Sequence, residues 1–319
     1  MTPPLRLGTR GSKLAMAQSR GVAEALTAAT GRAVNLVEIT TYGDVSNEPL
    51  ATIGGTGVFV NALREALLDD RVDLAVHSLK DLPTTPAENL TVAAIPERAD
   101  PRDVLCARDD LTLAELPPGS TIGTGSPRRA AQLRALGLEL EVVPVRGNVD
   151  TRMAKVTSGE LDGIVLARAG LSRLGRLDAV TEVLDPLQML PAPGQGALAV
   201  ECRTADEELV GTLAVLDDPM TRAAVTAERT LLAVLEAGCS APVGAYAVVA
   251  EGDAPQSDEL YIRGAVVSSD GAISIRKSVT GPVEEAEQLG RTLAGDLLDD
   301  GAGTVVGAEL KVPKKENVS

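Results

Sequence analysis

The strongest constraint on the fold is an alternation that occurs twice. From the N-terminus to about residue 190, short apolar runs with strand character alternate with stretches whose apolar residues recur every three to four positions, the pattern of βαβ units and a largely parallel sheet. "LRLGTRGSKLAMAQSRGVAEAL" reads as strand, Gly-Thr turn, Ser12 cap, helix, and "TIGTGSPRRAAQLRALG" repeats that order with Ser126 as the cap. "FVNALREALLDDRVDLAVHSLKDLP" and "RMAKVTSGELDGIVLARAGLSRLG" then share the order helix, strand, loop. The two halves read as an internal duplication of α/β domains.

Pro and charge concentrate in "IPERADPRDVL", which suits a hinge near residues 96 to 101, and Pro191 and Pro193 mark a second crossing before the strand "GALAVECR". That strand is expected to return to the first domain and make it discontinuous. After about Asp218 the pattern changes to a long helix, "TRAAVTAERTLLAVLEAG", the strands "APVGAYAVVAEG", "LYIRGAVVS" and "AISIRKSVTG" with an Asp270-Gly271 hairpin turn, and a helix from "PVEEAEQLGRTL". The expected division is an α/β domain over 1–97 and 197–217, a second over 98–196, and a small α+β domain over 218–319, in which Cys239 lies.

With 319 residues and 44% hydrophobic content the chain can bury large cores. "MTPPLRLGTRGS" lacks the basic-then-apolar run of a signal peptide, and no stretch approaches the roughly 18 uninterrupted apolar residues of a membrane span, so a cytoplasmic location and no membrane partner are expected. Three scattered cysteines form no disulfide framework, and a single histidine makes a metal site a poor expectation. A net charge of −15 argues against nucleic acid. Against that background, the Gly123–Arg176 window holds Arg128, Arg129, Arg134, Arg146, Arg152, Lys155, Arg168, Arg173 and Arg176 against only Glu139, Glu141, Asp150, Glu160 and Asp162. A solvated face accounts for Arg134, Lys155 and Arg176; it fits less well where arginines adjoin glycines at strand ends, in "GTGSPRR" and "VRGNVDTR".

Each Gly-Thr turn sets a strand end against a helix N-terminus, where free N–H groups and the dipole favour an anion. Ser12 and Ser126 are candidates for capping, ligand binding or both, and Arg10, Arg128 and Arg129 beside them supply guanidinium forks that match carboxylates. Facing one another, such turns would make a polyanion cleft. Past another strand end come His77, Lys80 and Asp81, with Pro83 stopping any long helix. Asp81 reads either as an ion-pairing residue or as a carboxylate that stabilises a cationic intermediate; His77 reads either as a satisfied polar residue or as a base. Cys239, in a Gly-Cys-Ser-Ala-Pro turn, has three readings: buried filler, nucleophile, or anchor for a covalent group. Cys106 and Cys202 sit in apolar strand contexts and read as structural.

Seven collinear blocks, "GTRGSKLA", "DLAVHSLKDLP", "IGTGSPRRAAQL", "VRGNVDTR", "LARAGLSRLG", "APGQGALAVECR" and "LEAGCSAPVGAYA", closely resemble the porphobilinogen deaminase family, also called hydroxymethylbilane synthases, over nearly the whole chain. The resemblance implies two domains like those of periplasmic binding proteins plus a small α+β domain, and a transferase of tetrapyrrole and haem biosynthesis. Four porphobilinogen molecules would be condensed, with loss of ammonia, onto a dipyrromethane cofactor held by a thioether at Cys239, and water would release hydroxymethylbilane. It further implies that Asp81 is catalytic. The implied cofactor-binding residues are Lys80, Asp81, Thr124, Ser126, Arg128, Arg129, Arg146 and Gly147. The implied substrate-binding residues are Arg10, Ser12, Arg146, Arg152, Arg173 and Gln195, meeting the acetate and propionate groups of porphobilinogen. A monomer is expected. The chain departs from the family pattern at Asn61, where a lysine is common, at the missing basic residue before Gly57-Val58-Phe59, at Gly125, where a hydroxyl residue is frequent, and at Pro127. Phe59 has two readings, pyrrole stacking or core. Two rivals remain on the residues alone: a non-catalytic anion-binding protein, and a cysteine hydrolase pairing Cys239 with His77.

Overall fold

Leu5, Leu7, Leu74 and Val76 are buried strand residues, and around them the first sheet is built. The computed structural model describes residues 3–40, 57–235, 241–250 and 258–311, with side chains from 60 to 307 where these are covered and from 3 to 40. Its first sheet comprises β1 (Leu5–Thr9), β2 (Val34–Glu38), β3 (Leu74–Ser78), β4 (Leu90–Ala94) and β10 (Leu198–Arg203) in the order β2-β1-β3-β10-β4. β1 runs parallel to β2 and β3, whereas β10 is antiparallel to β3 and β4. The late strand β10 therefore lies in the first sheet.

The second sheet has β5 (Asp103–Ala107), β6 (Thr121–Thr124), β7 (Glu141–Pro144), β8 (Gly163–Ala167) and β9 (Glu182–Val183) in the order β7-β6-β8-β5-β9. β6 is parallel to β7 and β8, and β5 is antiparallel to β9. Position by position this is the order of the first sheet. In each, the fourth strand is the first one formed after the chain crosses between halves.

Helix α1 (Lys13–Thr30) starts at Ser12, whose hydroxyl accepts from Ala15 N, and stops at Gly31 with φ 71°, a left-handed residue that glycine adopts without a Cβ penalty. Its inward face, Gln18, Ser19, Val22, Ala23 and Leu26, recurs at three- and four-residue spacing and packs on the first sheet. α2 (Gly57–Leu68) covers another part of that sheet through Leu63, Ala66 and Leu67. α3 (Pro127–Ala135) starts at Ser126 with Pro127 in its first turn, where a missing N–H costs nothing, and α4 (Val149–Thr157) starts at Asn148, whose side chain accepts from Thr151 N at 2.9 Å.

α5 (Arg168–Arg173) follows β8, and with it the segment Ala167–Asp178 groups with the first compact unit, Met1–Pro101 and Gly194–Val225, although it lies inside the 98–196 expected for the second domain. The ties are Arg168 to Asp100 at 3.4 Å and Arg173 to the Gly196 carbonyl at 2.6 Å. The second unit is Arg102–Leu166, Ala179–Pro193 and Thr226–Ser319. It contains the third sheet, the antiparallel meander β11 (Val243–Ala250), β12 (Glu259–Val267) and β13 (Ser274–Pro282), backed by α8 (Ala286–Asp299). Between α5 and α8 come α6 (Glu207–Leu213) and α7 (Pro219–Val234). The β12–β13 hairpin turns at Gly271, φ 78°, where a Cβ would lie 2.6 Å from Ala135 N, so only glycine lets this turn rest on the end of α3. The architecture is two α/β sheets of one topology plus a small C-terminal α+β layer.

Candidate functional site

In the first unit β3 leads into a single 3-10 turn, Leu79–Asp81, anchored by the buried Leu79. Lys80 Nζ donates to Gln195 Oε1 at 3.2 Å, and the buried Gln195 donates from Nε2 to the Pro101 carbonyl at 2.7 Å while its own carbonyl accepts from Arg98 Nε at 2.8 Å. Gln195 thus fixes Lys80 by a side chain buried between two loop segments. Asp81 is half-buried and makes no hydrogen bond or ion pair among the described residues. A carboxylate at a strand end that no described cation pairs can meet positive charge on something that comes to it.

Ser12 caps α1, and its hydroxyl hydrogen remains available to donate. Arg10 is half-exposed at the preceding turn. Arg173 adjoins a cavity of about 190 Å³ lined also by Gln18, Val22, Ala25, Pro96 and Leu198. Burial lowers the pKa of Arg173, with no acid offsetting it.

His77 does not join Asp81. It lies buried in β3 with Nε2 3.2 Å from Glu201 Oε2, near enough for ion pairing but off the line a hydrogen bond requires. Arg64 grips the same carboxylate through Nε at 3.1 Å and Nη2 at 2.8 Å. Burial alone would raise the Glu201 pKa, yet His77 and Arg64 together bring it below the ordinary value. This group is a buried structural polar cluster, which removes His77 as a free base.

In the second unit, Thr124 ends β6 buried, and its hydroxyl accepts from Ser126 N at 3.2 Å. Ser126 accepts from Arg129 N at 3.4 Å. Both serines therefore cap their helices. Arg128 and Arg129 are buried, 4% and 6% exposed, and share one carboxylate: Arg128 Nη2 lies 2.6 Å from Asp103 Oδ2 and Arg129 Nη2 lies 2.8 Å from Asp103 Oδ1. Arg128 Nη1 donates to the Leu190 carbonyl and Arg129 Nη1 to the Val165 carbonyl at 3.1 Å. The Nε atoms of both, and of Arg152, are buried without an acceptor among the described residues. Arg152 has no acid partner among the described residues; burial first, and Arg129 second, lower its pKa. It sits against Gly125, where a Cβ would fall 2.7 Å from the Val145 carbonyl, so this backbone admits no hydroxyl side chain at that position. Arg146 and Gly147 are exposed in the loop ahead of α4, Gly147 with φ 104°.

Two buried guanidiniums on one carboxylate, with the half-buried Arg152 near Arg129, leave positive charge and N–H groups that meet no acceptor among the described residues, an arrangement that suits a ligand with several carboxylates. Cys239 lies outside the described residues, as do residues 41–56 and the side chain of Phe59; Asn61 is exposed on α2. Cys106 and Cys202 are buried in β5 and β10, and burial pushes the Cys202 thiol up to about 11. The sequence reading passed over Asp103, Glu201 and Gln132. A signal existed for two of them: Asp103 opens the apolar run "DVLCA" and Glu201 interrupts "LAVEC", and an acid inside a buried strand requires a cation.

The family model described as porphobilinogen deaminase, dipyrromethane cofactor binding domain, matches residues 5–211, and the one described as porphobilinogen deaminase, C-terminal domain, matches residues 222–299. The chain is 60% identical over 312 residues to porphobilinogen deaminase 1 of Streptomyces coelicolor, covering 95% of this chain and 97% of that one. It is 59% identical over 316 residues to the porphobilinogen deaminase of Thermobifida fusca, covering 96% of each. Among solved structures, a periplasmic substrate-binding protein of an ABC transporter from Coxiella burnetii is similar at 15% identity and a TM-score of 0.43, over 68% of this chain and 94% of that one. The strand order described above, rather than that distant likeness, defines the fold. No described helix is long and apolar enough to cross a membrane.

Proposed function

Because the chain belongs to the porphobilinogen deaminase family of tetrapyrrole biosynthesis, we propose that it acts as a transferase on porphobilinogen, extending a dipyrromethane carried by a thioether at Cys239 and releasing hydroxymethylbilane by hydrolysis. The observation that carries this reading is the set of buried, acceptor-free Nε atoms on Arg128, Arg129 and Arg152. These residues fit a polycarboxylate group, because each unused donor would otherwise be a net cost of burial. When bound, the dipyrromethane supplies the pyrrole carbon to which the incoming unit is joined.

The chain's own residues divide the remaining work. Arg128, Arg129 and Arg146, with the Thr124–Ser126 turn and Gly147, hold carboxylates of the resident group. Arg10, Ser12 and Arg173 hold those of incoming porphobilinogen, and Arg146 and Arg152 serve the substrate as well. Asp81, which makes no ion pair among the described residues, stabilises positive charge on porphobilinogen as ammonia departs and takes up a proton as the new bond is completed. Lys80, fixed by Gln195, contributes a point charge beside it. We further propose a cytoplasmic monomer.

The deciding experiment is the intact mass of the denatured, freshly purified protein with peptide mapping of its cysteines. A mass excess equal to two linked pyrrole units on Cys239 is expected. An unmodified Cys239 in active protein would overturn the anchor role and return a cysteine-dependent hydrolysis to consideration.

A further inference from the structure

We propose that Asp103 is a positioning residue, whose single buried carboxylate holds the Arg128 and Arg129 guanidiniums in one orientation and so determines which of their N–H groups are left for a ligand. This inference rests on the reading that the arginine pair meets carboxylates of the resident group.

Consecutive residues of an α-helix project about 100° apart, so Arg128 and Arg129 at the start of α3 would diverge unless something gathers them. The helix N-terminus is itself positive, and two adjacent cations there repel. Asp103, at the first position of β5 and 0% exposed, gives one oxygen to each guanidinium at 2.6 and 2.8 Å. Burial by itself would raise the pKa of Asp103; the two guanidiniums outweigh it and hold the carboxyl well below the usual range, so it is an anion at any working pH. The other terminal nitrogens are taken by the Leu190 and Val165 carbonyls. Leu190 is in turn clamped by the buried Gln132, which accepts from its N–H at 2.8 Å and donates to its carbonyl at 3.0 Å. With both terminal nitrogens of each arginine committed to the protein, both Nε donors remain without an acceptor among the described residues. Charge and geometry point the same way: one carboxylate neutralises one of the two cations and aligns both.

Replacement by Asn removes the charge and turns one oxygen into an N–H donor aimed at a guanidinium, so one arginine is released. The test compares Asp103→Asn, Asp103→Glu and Glu201→Gln with the native chain by thermal melting, intact mass, and steady-state kinetics normalised to the fraction of chains that carry the adduct. Glu201 is the buried acid of the first unit and controls for loss of a structural ion pair. The expected result for Asp103→Asn is a smaller adduct-bearing fraction and a kcat per adduct-bearing chain lowered about tenfold or more, with KM for porphobilinogen changed much less. Glu201→Gln is expected to lower the melting temperature and leave kcat per adduct-bearing chain as in the native protein. Should Asp103→Asn not fold, Asp103→Glu decides: it keeps the anion on a longer arm, and a lowered kcat at near-native melting temperature supports positioning. A native kcat per adduct-bearing chain in whichever Asp103 variant folds would overturn the proposal. A native chain that carries no adduct and does not turn over porphobilinogen would instead overturn the functional reading beneath it.

Discussion

The first and second sheets share one strand order, yet they use their strand ends in opposite ways. In the first, β3 ends in a short turn that leaves Asp81 without a pairing partner among the described residues, while a deeply buried acid of that unit, Glu201, is bound to Arg64 and His77 away from the turn. In the second, β6 ends in a turn whose two arginines are themselves buried and share one acid, with the half-buried Arg152 unpaired among the described residues. Among the described residues, one topology thus presents an unpaired anion at a turn of one copy and more cations than acids at a turn of the other. The duplication supplies equivalent loop positions, and the residues placed on those loops assign the roles.

The largest effect that would break this contrast is on turnover. Asp81→Ala should lower kcat by at least about 10²–10³-fold while leaving the melting temperature unchanged, because the residue is half-buried and has no partner to strand. Steady-state assay with thermal melting checks both halves, and full activity would end the proposed role of Asp81.

Next in size is a difference within the arginine cluster. Arg128→Ala leaves the Asp103 anion half-compensated in a site that is 0% exposed, and a loss of about 3–5 kcal/mol in unfolding free energy is expected. Arg152→Met removes a half-buried cation that no described acid satisfies, so stability should hold or rise by about 1 kcal/mol while activity falls. Denaturant titration of both variants separates a cation kept for the fold from one kept for a ligand. If Arg152→Met proved as destabilising as Arg128→Ala, that distinction would collapse.

A smaller effect follows from acid. The folded-state pKa values of Asp103 and Glu201 are both depressed, so the stability they contribute is complete above their unfolded values of about 4 and is lost as pH falls from there through the depressed values. Unfolding free energy measured at pH 7 and at pH 3 should therefore drop less in Asp103→Asn than in the native chain. Equal drops would show that Asp103 does not carry the acid sensitivity. Smallest of all, Arg134→Ala removes an exposed hydrogen bond to the Ser269 carbonyl and should change stability by less than about 0.5 kcal/mol.

Much of the fold was legible in the sequence because it depends on local pattern. The period of apolar residues, the caps at Ser12 and Ser126, Pro127 in the first turn of α3 and the Asp270-Gly271 turn each act within a few residues, so they can be read without knowing the rest of the chain. The turns that carry Lys80, Asp81, Thr124 and Ser126 were legible for the same reason, as was the surplus of arginine from Gly123 to Arg176. Only the tertiary structure decided how those charges are spent. Asp103 lies 25 residues before Arg128, and Glu201 lies 137 after Arg64. Whether a guanidinium meets an acid, a carbonyl or nothing depends on which strand the sheet order sets beside it. Sequence determined the elements and the kinds of charge at their ends; long-range packing determined which of those charges are paired inside the fold and which, among the described residues, are not.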